Sequence, residues 1–423
     1  MDLEELKNTI IGRIRNSVEL LPSIIGQESV KEKILASVLA GHHILLEGPP
    51  GVGKTTLARN IAQLLPAIQS VKGCLFHCDP NEPACPKCKD ERAKTGSLES
   101  EEVTGPSRFI RIQGSPDLCA EDLLGDIDPA MAFKYGPQDY RAFTPGKLLK
   151  GNRGIVFFDE LNRVQEKLQN ALLQVLEEHV ATIGPYDVDY QADFIMIATM
   201  NPKEHAGVEE LSDVLLDRFD VVKMDYPETL ENEKTIVELR SRRIDGIEMP
   251  DDVFDSIVSL VRSTRCEPWS LEVEQGASVR ASIALYEKTM ASALLRKKKA
   301  CDMKDMRSMV FSSLAGRVRP SAESKYFENP VDLIDDLVRD VTGEYRYDIR
   351  KKRFHYPCHG EGRHRQNLPL IPPHILFLPD GFGPGDRRRP GFKPAGSPGR
   401  DSKTDRGRYP RKNYLAGRKI FNG

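Results

Sequence analysis

The stretch from Gly41 to Leu57, GHHILLEGPPGVGKTTL, decides the fold of this chain. Its apolar run at residues 44–46 is typical of a buried strand, and the residues from Lys54 onward favour a helix. Between them lies GPPGVGKT at residues 48–55, which completes the pattern G-x-x-x-x-G-K-[ST]. A glycine-rich loop between a strand and a helix is the context in which this pattern binds phosphates. The stretch therefore predicts an α/β fold built around a phosphate site.

The residue types of this loop suit phosphate chemistry. Small residues let backbone N–H groups turn toward an anion, and the following helix N-terminus adds partial positive charge. We expect Lys54 to neutralise the β- and γ-phosphates and the Thr55 hydroxyl to bind Mg²⁺. The alternative, a tight strand–helix turn without a ligand, is disfavoured by the agreement of loop and flanks. The predicted phosphate-binding residues are Gly48, Pro49, Pro50, Gly51, Val52, Gly53, Lys54, Thr55 and Thr56.

A second apolar run, GIVFFDE at residues 154–160, ends in two carboxylates. Four consecutive apolar residues are typical of a buried parallel strand, and ligands bind at the carboxyl ends of such strands. Asp159 is predicted to complete the Mg²⁺ site, and Glu160 to accept a proton from the attacking water or to orient it. Without the phosphate loop, a core strand followed by an acidic helix start would be the favoured explanation of the pair, and the presence of the loop disfavours it.

Three further polar residues are candidates for the same site. Asn201 follows the apolar strand at residues 194–200 and could hydrogen-bond the attacking water or the γ-phosphate. Arg218 lies between two acids in LLDRFD, where a surface salt bridge is the competing interpretation. Arg280 opens a long helix whose first turn could face phosphate.

Four cysteines fall within fifteen residues with the spacing C-x3-C-x6-C-x2-C. The segment is rich in proline and has no apolar periodicity, so it reads as a loop without a core of its own. In a reducing compartment this pattern favours a metal over disulfides, and four thiolates suit tetrahedral Zn²⁺ or an iron–sulfur cluster. The absence of any metal stays open, because the spacing is looser than usual for zinc. The predicted ligands are Cys74, Cys78, Cys85 and Cys88.

The chain of 423 residues, with a net charge of −2, is long enough for two or three domains. Strand patterns stop near residue 225, helical patterns follow, and Gly136 and Pro137 predict a hairpin across residues 134–143. Residues 351–423 hold 17 Lys and Arg against 5 Asp and Glu, with many glycines and prolines, which predicts a disordered basic tail. The tail could bind nucleic acid or an acidic protein, although a solvated tail without a specific partner is the favoured interpretation. Nucleic acid is not expected to bind elsewhere on the chain.

The opening MDLEE lacks a signal sequence and no apolar run is long enough for a membrane span, so a cytoplasmic protein is expected. The predicted organisation is an α/β domain over residues 1–225 with a Cys-rich insertion at 72–107, a smaller all-helical lid domain at 226–310, a connector at 311–350 and the tail at 351–423.

Over residues 20–300 the chain resembles the AAA+ ATPases, specifically the clade of MoxR proteins and magnesium-chelatase ATPase subunits. GPPGVGKT resembles the family's Walker A motif, and GIVFFDELNR resembles its Walker B motif. IATMNP is similar to the sensor-1 strand, LLDRF to the arginine-finger segment and GASVRA to the sensor-2 segment. A predicted hairpin at residues 180–193 falls where this clade inserts one after Walker B. The resemblance implies a parallel-sheet P-loop domain with a helical lid.

The resemblance also implies roles for single residues. Asp159 and Glu160 occupy the acidic Walker B positions, and Asn201 is the sensor-1 residue. Arg218 would reach the γ-phosphate of a neighbouring subunit, and Arg280 would act as the sensor-2 arginine. The family further implies ATP and Mg²⁺ as ligands, a hexameric ring of identical subunits and a partner with a von Willebrand A domain.

Three functions are therefore in contention. The first is an ATP hydrolase that remodels a partner protein or inserts a metal or cofactor, as MoxR-like proteins would. The second is the ATPase subunit of a chelatase that inserts Mg²⁺ or Co²⁺ into a tetrapyrrole. The third is a nucleotide-gated scaffold with negligible turnover, which the presence of Glu160 disfavours because binding alone does not require that carboxylate.

Overall fold

In the computed structural model of this protein, a five-stranded parallel sheet lies at the centre of the N-terminal part of the chain. The structure describes residues 3–183, 188–201 and 210–343. The strands are β1 (His43–Glu47), β2 (Ile68–Val71), β3 (Ser100–Val103), β4 (Phe109–Gln113), β5 (Gly125–Ile127), β6 (Phe143–Pro145), β7 (Ile155–Asp159), β8 (Val180–Ile183), β9 (Val188–Gln191), β10 (Ile195–Met200), β11 (Phe219–Lys223), β12 (Val273–Gln275) and β13 (Arg319–Pro320). The central sheet has the order β11-β1-β10-β7-β4.

Helices cover both faces of this sheet and continue beyond it. They are α1 (Leu3–Arg15), α2 (Glu28–Ala40), α3 (Lys54–Ala62), α4 (Pro86–Thr95), α5 (Ala120–Leu124), α6 (Pro129–Tyr135), α7 (Lys147–Lys150), α8 (Glu166–Glu178), α9 (Asp213–Leu216), α10 (Leu230–Arg240), α11 (Asp251–Ser263), α12 (Val279–Leu295), α13 (Met303–Leu314) and α14 (Pro330–Thr342). Short 3₁₀ turns occupy Gly105–Arg108, Tyr140–Ala142, Leu161–Arg163 and Trp269–Leu271.

The apolar strand runs are buried on both faces, as expected for a parallel sheet with helices on either side. Ile44 and Phe157 belong to the core that includes residues of α1, α2 and α3. Leu45 and Phe158 belong to the opposite core, which includes residues of α7 and α8. The predicted α/β class with a parallel P-loop sheet is confirmed.

The strand register brings the predicted polar ends together. Glu47 of β1 pairs with Met200 of β10, and Gln113 of β4 pairs with Asp159 of β7. Because all five strands are parallel, their carboxyl ends form one edge of the sheet. This edge is the location at which open α/β sheets bind ligands.

Short antiparallel pairs lie outside the central sheet. β8 and β9 pair as the predicted hairpin, whose turn at residues 184–187 lies outside the described residues. The hairpin predicted across residues 134–143 is wrong, because α6 occupies the first of these residues and β6 pairs with β5 instead. The reason is local: the Asp128 side chain accepts from two backbone N–H groups at the start of α6, and Pro129 follows at its first position.

The Cys-rich insertion has more regular structure than its sequence suggests. β2 and β3 pair antiparallel at its base, and α4 begins directly after Cys85. Three of the four cysteines are buried together with Val71 in a small separate cluster. The segment thus has a core, but one made largely of thiols.

The helices after β11 share one hydrophobic core, which extends from Val237 to Leu337. The short ladder of β12 and β13 joins this helical part. The domain boundaries at residues 225, 310 and 350 stay predictions, and the predicted disordered tail lies outside the described residues. Among the described helices, none is both long and apolar enough to cross a bilayer.

Candidate nucleotide site

The phosphate loop is tightly enclosed by its neighbours. The Gly48 N–H donates to the Met200 carbonyl at 3.4 Å, and a Cβ at Gly48 would lie 2.1 Å from the Met224 carbonyl oxygen. Gly51 has a φ of +81°, and a Cβ there would lie 2.6 Å from the Ser278 hydroxyl oxygen. Side chains are therefore excluded at both glycines, which leaves the loop backbone free to face a phosphate.

Lys54 and Thr55 open α3 at the end of this loop. Gly53 precedes the helix with a φ of +104°, and the helix N-terminus consequently faces the loop. The Lys54 ammonium donates to the Pro49 carbonyl at 3.3 Å and also contacts the Gly48 carbonyl. The lysine thus lies across the loop, where a bound phosphate would compete for its donors.

Asp159 ends β7 with both carboxylate oxygens engaged. The Thr199 hydroxyl donates to Oδ1 at 2.8 Å, and the Arg111 guanidinium donates to Oδ2 at 2.6 Å. Asp159 is mostly buried, whereas Arg111 is half exposed. The Asp159 carboxylate and the Thr55 hydroxyl are both hard oxygen donors, which fit the preference of Mg²⁺.

Glu160 has a left-handed backbone conformation, with a φ of +58°. Its N–H donates to the Thr199 hydroxyl at 2.9 Å, so the same hydroxyl holds both acidic residues. Its carboxylate accepts from Gln113 at 2.9 Å and from Arg163 at 3.0 Å. A non-glycine residue with positive φ is uncommon, and here it turns the Glu160 side chain away from the strand direction.

Asn201 and Arg280 approach the loop from two different elements. Asn201 is half buried and directly follows Met200, which pairs with Glu47 at the entrance to the loop. Arg280 is exposed in the first turn of α12, and its Cδ lies 3.7 Å from the position of a Cβ on Gly51. The helical part therefore supplies a cation beside the phosphate loop.

Arg218 lies at the opposite end of the strands from the phosphate loop, where their amino ends are. The next residue, Phe219, pairs with His43 at the start of β1, whereas the phosphate loop follows the end of β1. At about 3.3 Å per residue, the five residues of β1 separate the two edges by about 13 Å. The Arg218 guanidinium pairs with Glu177 at 2.9 Å and with Asp217 at 3.5 Å. It does not join the other predicted residues within one chain.

Three residues at the site were not predicted: Thr199, Gln113 and Arg111. Gln113 was detectable by the signal that marked Asp159, a polar residue at the end of an apolar strand. Thr199 and Arg111 gave no such signal, because a threonine in an apolar strand and an arginine within a strand are common without function.

The four predicted metal ligands come together in the insertion. Their sulfur atoms all lie within 4.8 Å of one another, and we call them the four-cysteine cluster: Cys74, Cys78, Cys85 and Cys88. Cys74 is partly exposed and the other three are buried. The cluster is separate from the nucleotide site, so a metal there would have no direct part in phosphate chemistry.

Two family profiles match consecutive parts of the chain. "Magnesium chelatase, subunit ChlI" matches residues 20–74, which include the phosphate loop. "ATPase family associated with various cellular activities (AAA)" matches residues 92–221, which include Asp159, Glu160 and Arg218. Both matches support the AAA+ ATPases of the MoxR and magnesium-chelatase clade as the family that this chain resembles. The resemblance read from its motifs is thereby confirmed.

The chain is also similar to individual proteins. It is 34% identical over 227 residues to the magnesium-chelatase 38 kDa subunit of Acidiphilium rubrum. The aligned residues cover 52% of this chain and 62% of that subunit. It is 29% identical over 351 residues to the uncharacterized protein YeaC of Bacillus subtilis, which covers 78% of this chain and 92% of YeaC. The chain therefore spans less than two thirds of the chelatase subunit but nearly all of YeaC.

A solved structure is also similar to this chain. It describes the complex between subunits BchI and BchD of magnesium chelatase, is 21% identical, and has a TM-score of 0.40. The match covers 72% of this chain and 97% of the matched chain.

Proposed function

We propose that this AAA+ chain hydrolyses ATP at the site between the phosphate loop, β7 and α12. The observation that carries the proposal is the Thr199 hydroxyl, which holds Asp159 and the backbone of Glu160 together at the carboxyl edge of the sheet. A site for binding alone would need the phosphate loop, whereas two fixed carboxylates beside it are suited to hydrolysis.

Each predicted residue then has a role that its position supports. Lys54 and the N–H groups of residues 48–55 bind the β- and γ-phosphates. Thr55 and Asp159 hold Mg²⁺, which supplies positive charge to the phosphates when bound. Glu160 orients the attacking water and accepts its proton, and Asn201 orients the water or the γ-phosphate. Arg280 contributes charge from the first turn of α12.

Arg218 acts on the nucleotide of a neighbouring subunit in this proposal. Its position at the far edge of the sheet keeps it away from the nucleotide of its own chain but exposes it to a neighbour. An arginine supplied in trans is commonly worth about 10³–10⁵ in the rate of phosphoryl transfer. The site is therefore complete only in an assembly, and the family implies a hexameric ring.

The work done by hydrolysis is proposed to be remodelling of a partner protein, or insertion of a metal or cofactor. The second candidate is the ATPase subunit of a magnesium or cobalt chelatase, which the ChlI profile and the Acidiphilium relative favour. A von Willebrand A protein is the partner expected from the family, and the cytoplasm is the proposed compartment.

The four-cysteine cluster is proposed to bind a structural metal. Four protein ligands leave no open coordination position, so catalysis by this metal is not expected. The spacing of the cysteines leaves zinc and an iron–sulfur cluster both open.

The test of the proposed ATPase is steady-state phosphate release by the assembled protein. Glu160→Gln should retain ATP binding and lose most turnover, whereas Glu166→Gln, an exposed acid at the start of α8, should keep it. Equal, negligible turnover by the wild-type protein and Glu160→Gln would contradict the proposal and favour the scaffold. If the protein together with added partner subunits inserts a metal into a tetrapyrrole, the chelatase function is favoured over remodelling.

A further inference from the structure

The geometry of the four-cysteine cluster distinguishes a single ion from an iron–sulfur cluster. All four sulfur atoms lie within 4.8 Å of one another, and the Sγ atoms of Cys74 and Cys85 are 3.9 Å apart. A tetrahedral Zn²⁺ with Zn–S bonds of about 2.3 Å places its sulfur ligands about 3.8 Å apart. Cysteines that bind different irons of a cluster are separated by the cluster itself and must stand farther apart. The cluster therefore encloses room for one ion.

The surrounding backbone is already arranged for thiolates. The Cys88 N–H donates to the Cys85 sulfur at 3.4 Å, and the Cys85 N–H donates to the Cys78 sulfur at 3.3 Å. Cys85 is also the residue that caps α4, so its sulfur lies at a helix N-terminus. Such hydrogen bonds orient metal ligands and stabilise their negative charge.

The loop that carries the cluster is bonded to the turn before β7. The Asn152 side chain donates to the Phe76 carbonyl at 2.7 Å, and the Asn152 carbonyl lies 3.2 Å from Nδ1 of His77. The Arg153 guanidinium donates to the His77 carbonyl at 3.1 Å. Asn152 is buried, so these bonds are shielded from water. β7, which ends in Asp159, begins two residues after Arg153.

The same loop also contacts the hairpin of β8 and β9. The Phe76 ring stacks on the Tyr190 ring of β9, with centroids 5.2 Å apart. Just after β9, the Asp193 N–H donates to the Asn152 side-chain oxygen at 3.0 Å, and its carbonyl accepts from the Arg153 N–H at 2.6 Å. Asn152 thus joins three elements: the cysteine loop, the entry to β7 and the end of the hairpin.

We propose that the four-cysteine cluster binds one Zn²⁺ ion, and that this ion fixes the entry to β7 and the β8–β9 hairpin through Phe76, His77 and Asn152. Apart from the thiols, the small core around the cluster contains only the apolar side chains of Val71, Phe76, Ala84 and Leu98 among the described residues. We infer that the ion supplies much of the energy that orders the cysteine loop. The proposal deepens the structural metal proposed above by naming the ion and the elements that it holds. It concerns metal content and order, and neither depends on ATP turnover.

The first measurement is elemental analysis of the full-length protein purified without added metal. One zinc per chain, with no iron and no acid-labile sulfide, is the expected result. The double variant Cys85→Ser/Cys88→Ser should lose the zinc, and Cys119→Ser, which changes an exposed cysteine outside the cluster, should retain it. Less than half an equivalent of zinc in the wild-type protein, or iron in its place, would overturn the assignment.

The second measurement is hydrogen–deuterium exchange of the wild-type protein before and after zinc is removed with a chelator. Amides of β7, β8 and β9 should exchange roughly tenfold faster without zinc, while those of α13 should be unchanged. Asn152→Ala should keep one zinc per chain, but removal of the zinc should no longer change the rate of amide exchange in β7. Unchanged exchange in β7 and the hairpin after zinc removal would overturn the positioning role, even if zinc is bound. Both measurements are made without nucleotide, so their outcomes do not depend on whether the ATPase proposal is correct.

Discussion

The Arg111 guanidinium lies 2.6 Å from Oδ2 of Asp159, the oxygen that Thr199 leaves free. The proposed Mg²⁺ ligand is thus already paired with a cation. An ion pair of this kind, with one half-exposed partner, is worth about 0–1 kcal/mol. In the proposed site Mg²⁺ would compete with Arg111 for this oxygen, so we expect the ion pair to raise the Mg²⁺ concentration that the site requires.

Arg111→Met should lower the Mg²⁺ concentration required for half-maximal nucleotide binding, by up to about fivefold, because the competing cation is removed. Titration of a fluorescent ATP analogue with Mg²⁺ measures this change. Arg111→Lys, which keeps the charge, should stay close to wild type. A higher Mg²⁺ requirement in Arg111→Met would show that the arginine assists the site rather than competing for it.

Thr199→Val should reduce turnover roughly 10- to 100-fold with little change in ATP affinity. The substitution keeps the shape of a side chain that is 1% exposed but removes its bonds to Asp159 and Glu160. Two hydrogen bonds at about 0.5–1.5 kcal/mol each give that range. Thr199→Ser, which restores the hydroxyl, should recover most of the rate. Loss of ATP binding along with turnover would indicate a folding defect instead.

Stability should fall in mild acid because of His43. Met196 N–H donates to Nδ1 of His43 at 3.1 Å, and Nε2 donates to the Leu176 carbonyl at 3.3 Å, so the buried ring is neutral. Burial lowers the pKa of His43 from 6.5 to about 4, with a smaller contribution from the charges of His179 and His42. Since the folded pKa lies below the unfolded one, the stabilisation is complete above pH 6.5 and is lost as the pH falls toward 4.

The loss attributable to His43 is about 3 kcal/mol across this window. Urea unfolding at several pH values between 7 and 4 gives the free energy of unfolding as a function of pH. The contribution of His43 is the difference in the slope of this plot between the wild-type protein and His43→Gln. His42→Gln changes an exposed neighbouring histidine and should keep the steep wild-type slope. Equal slopes for the wild-type protein and His43→Gln would rule out this source of acid sensitivity.

Glu233 is the centre of a buried ion network in the helical part. It is fully buried on α10 and accepts from Arg265 at 2.7 Å and from the Ser282 hydroxyl at 2.6 Å, with Arg262 at 3.4 Å. Glu233→Ala leaves two arginines without their carboxylate and should destabilise the fold by about 3–5 kcal/mol. Glu238, on the same helix as Glu233, forms an exposed pair with Arg243, which follows the helix. Glu238→Ala removes this pair and should cost less than about 1 kcal/mol. Similar effects on thermal unfolding would contradict this account.

The parallel sheet and the two carboxylates at the carboxyl end of β7 could be predicted from the sequence alone. GPPGVGKT and the apolar runs ending in Asp159 and Asn201 fix strand positions, because a parallel strand buried on both faces has few alternatives. The order of the strands, however, depends on contacts between distant segments, and that order places Gln113 beside Glu160. The clustering of four thiols was suggested by spacing, but only the fold shows that their loop touches the turn before β7.

Arg218 shows the limit of sequence reasoning most clearly. Its flanking acids suggest a local salt bridge, and the structure contains such bridges with Glu177 and Asp217. What the sequence cannot give is the distance to the phosphate loop, which follows from the register of β11 against β1. Because this register places Arg218 far from the phosphate loop of its own chain, the proposed role of Arg218 requires a neighbouring subunit.

The most direct test of the account is ATP hydrolysis by mixtures of two inactive variants. Arg218→Ala keeps its own Glu160, and Glu160→Gln keeps its own Arg218, so a mixed assembly contains interfaces in which both groups are intact. Each variant alone should bind ATP and turn over at least about 10³-fold more slowly than wild type. Glu177→Gln, which removes only the salt bridge, should remain active. We predict that the mixture recovers activity well above that of either variant alone; wild-type turnover by Arg218→Ala, or no recovery in verified mixed assemblies, would contradict a catalytic site shared between subunits.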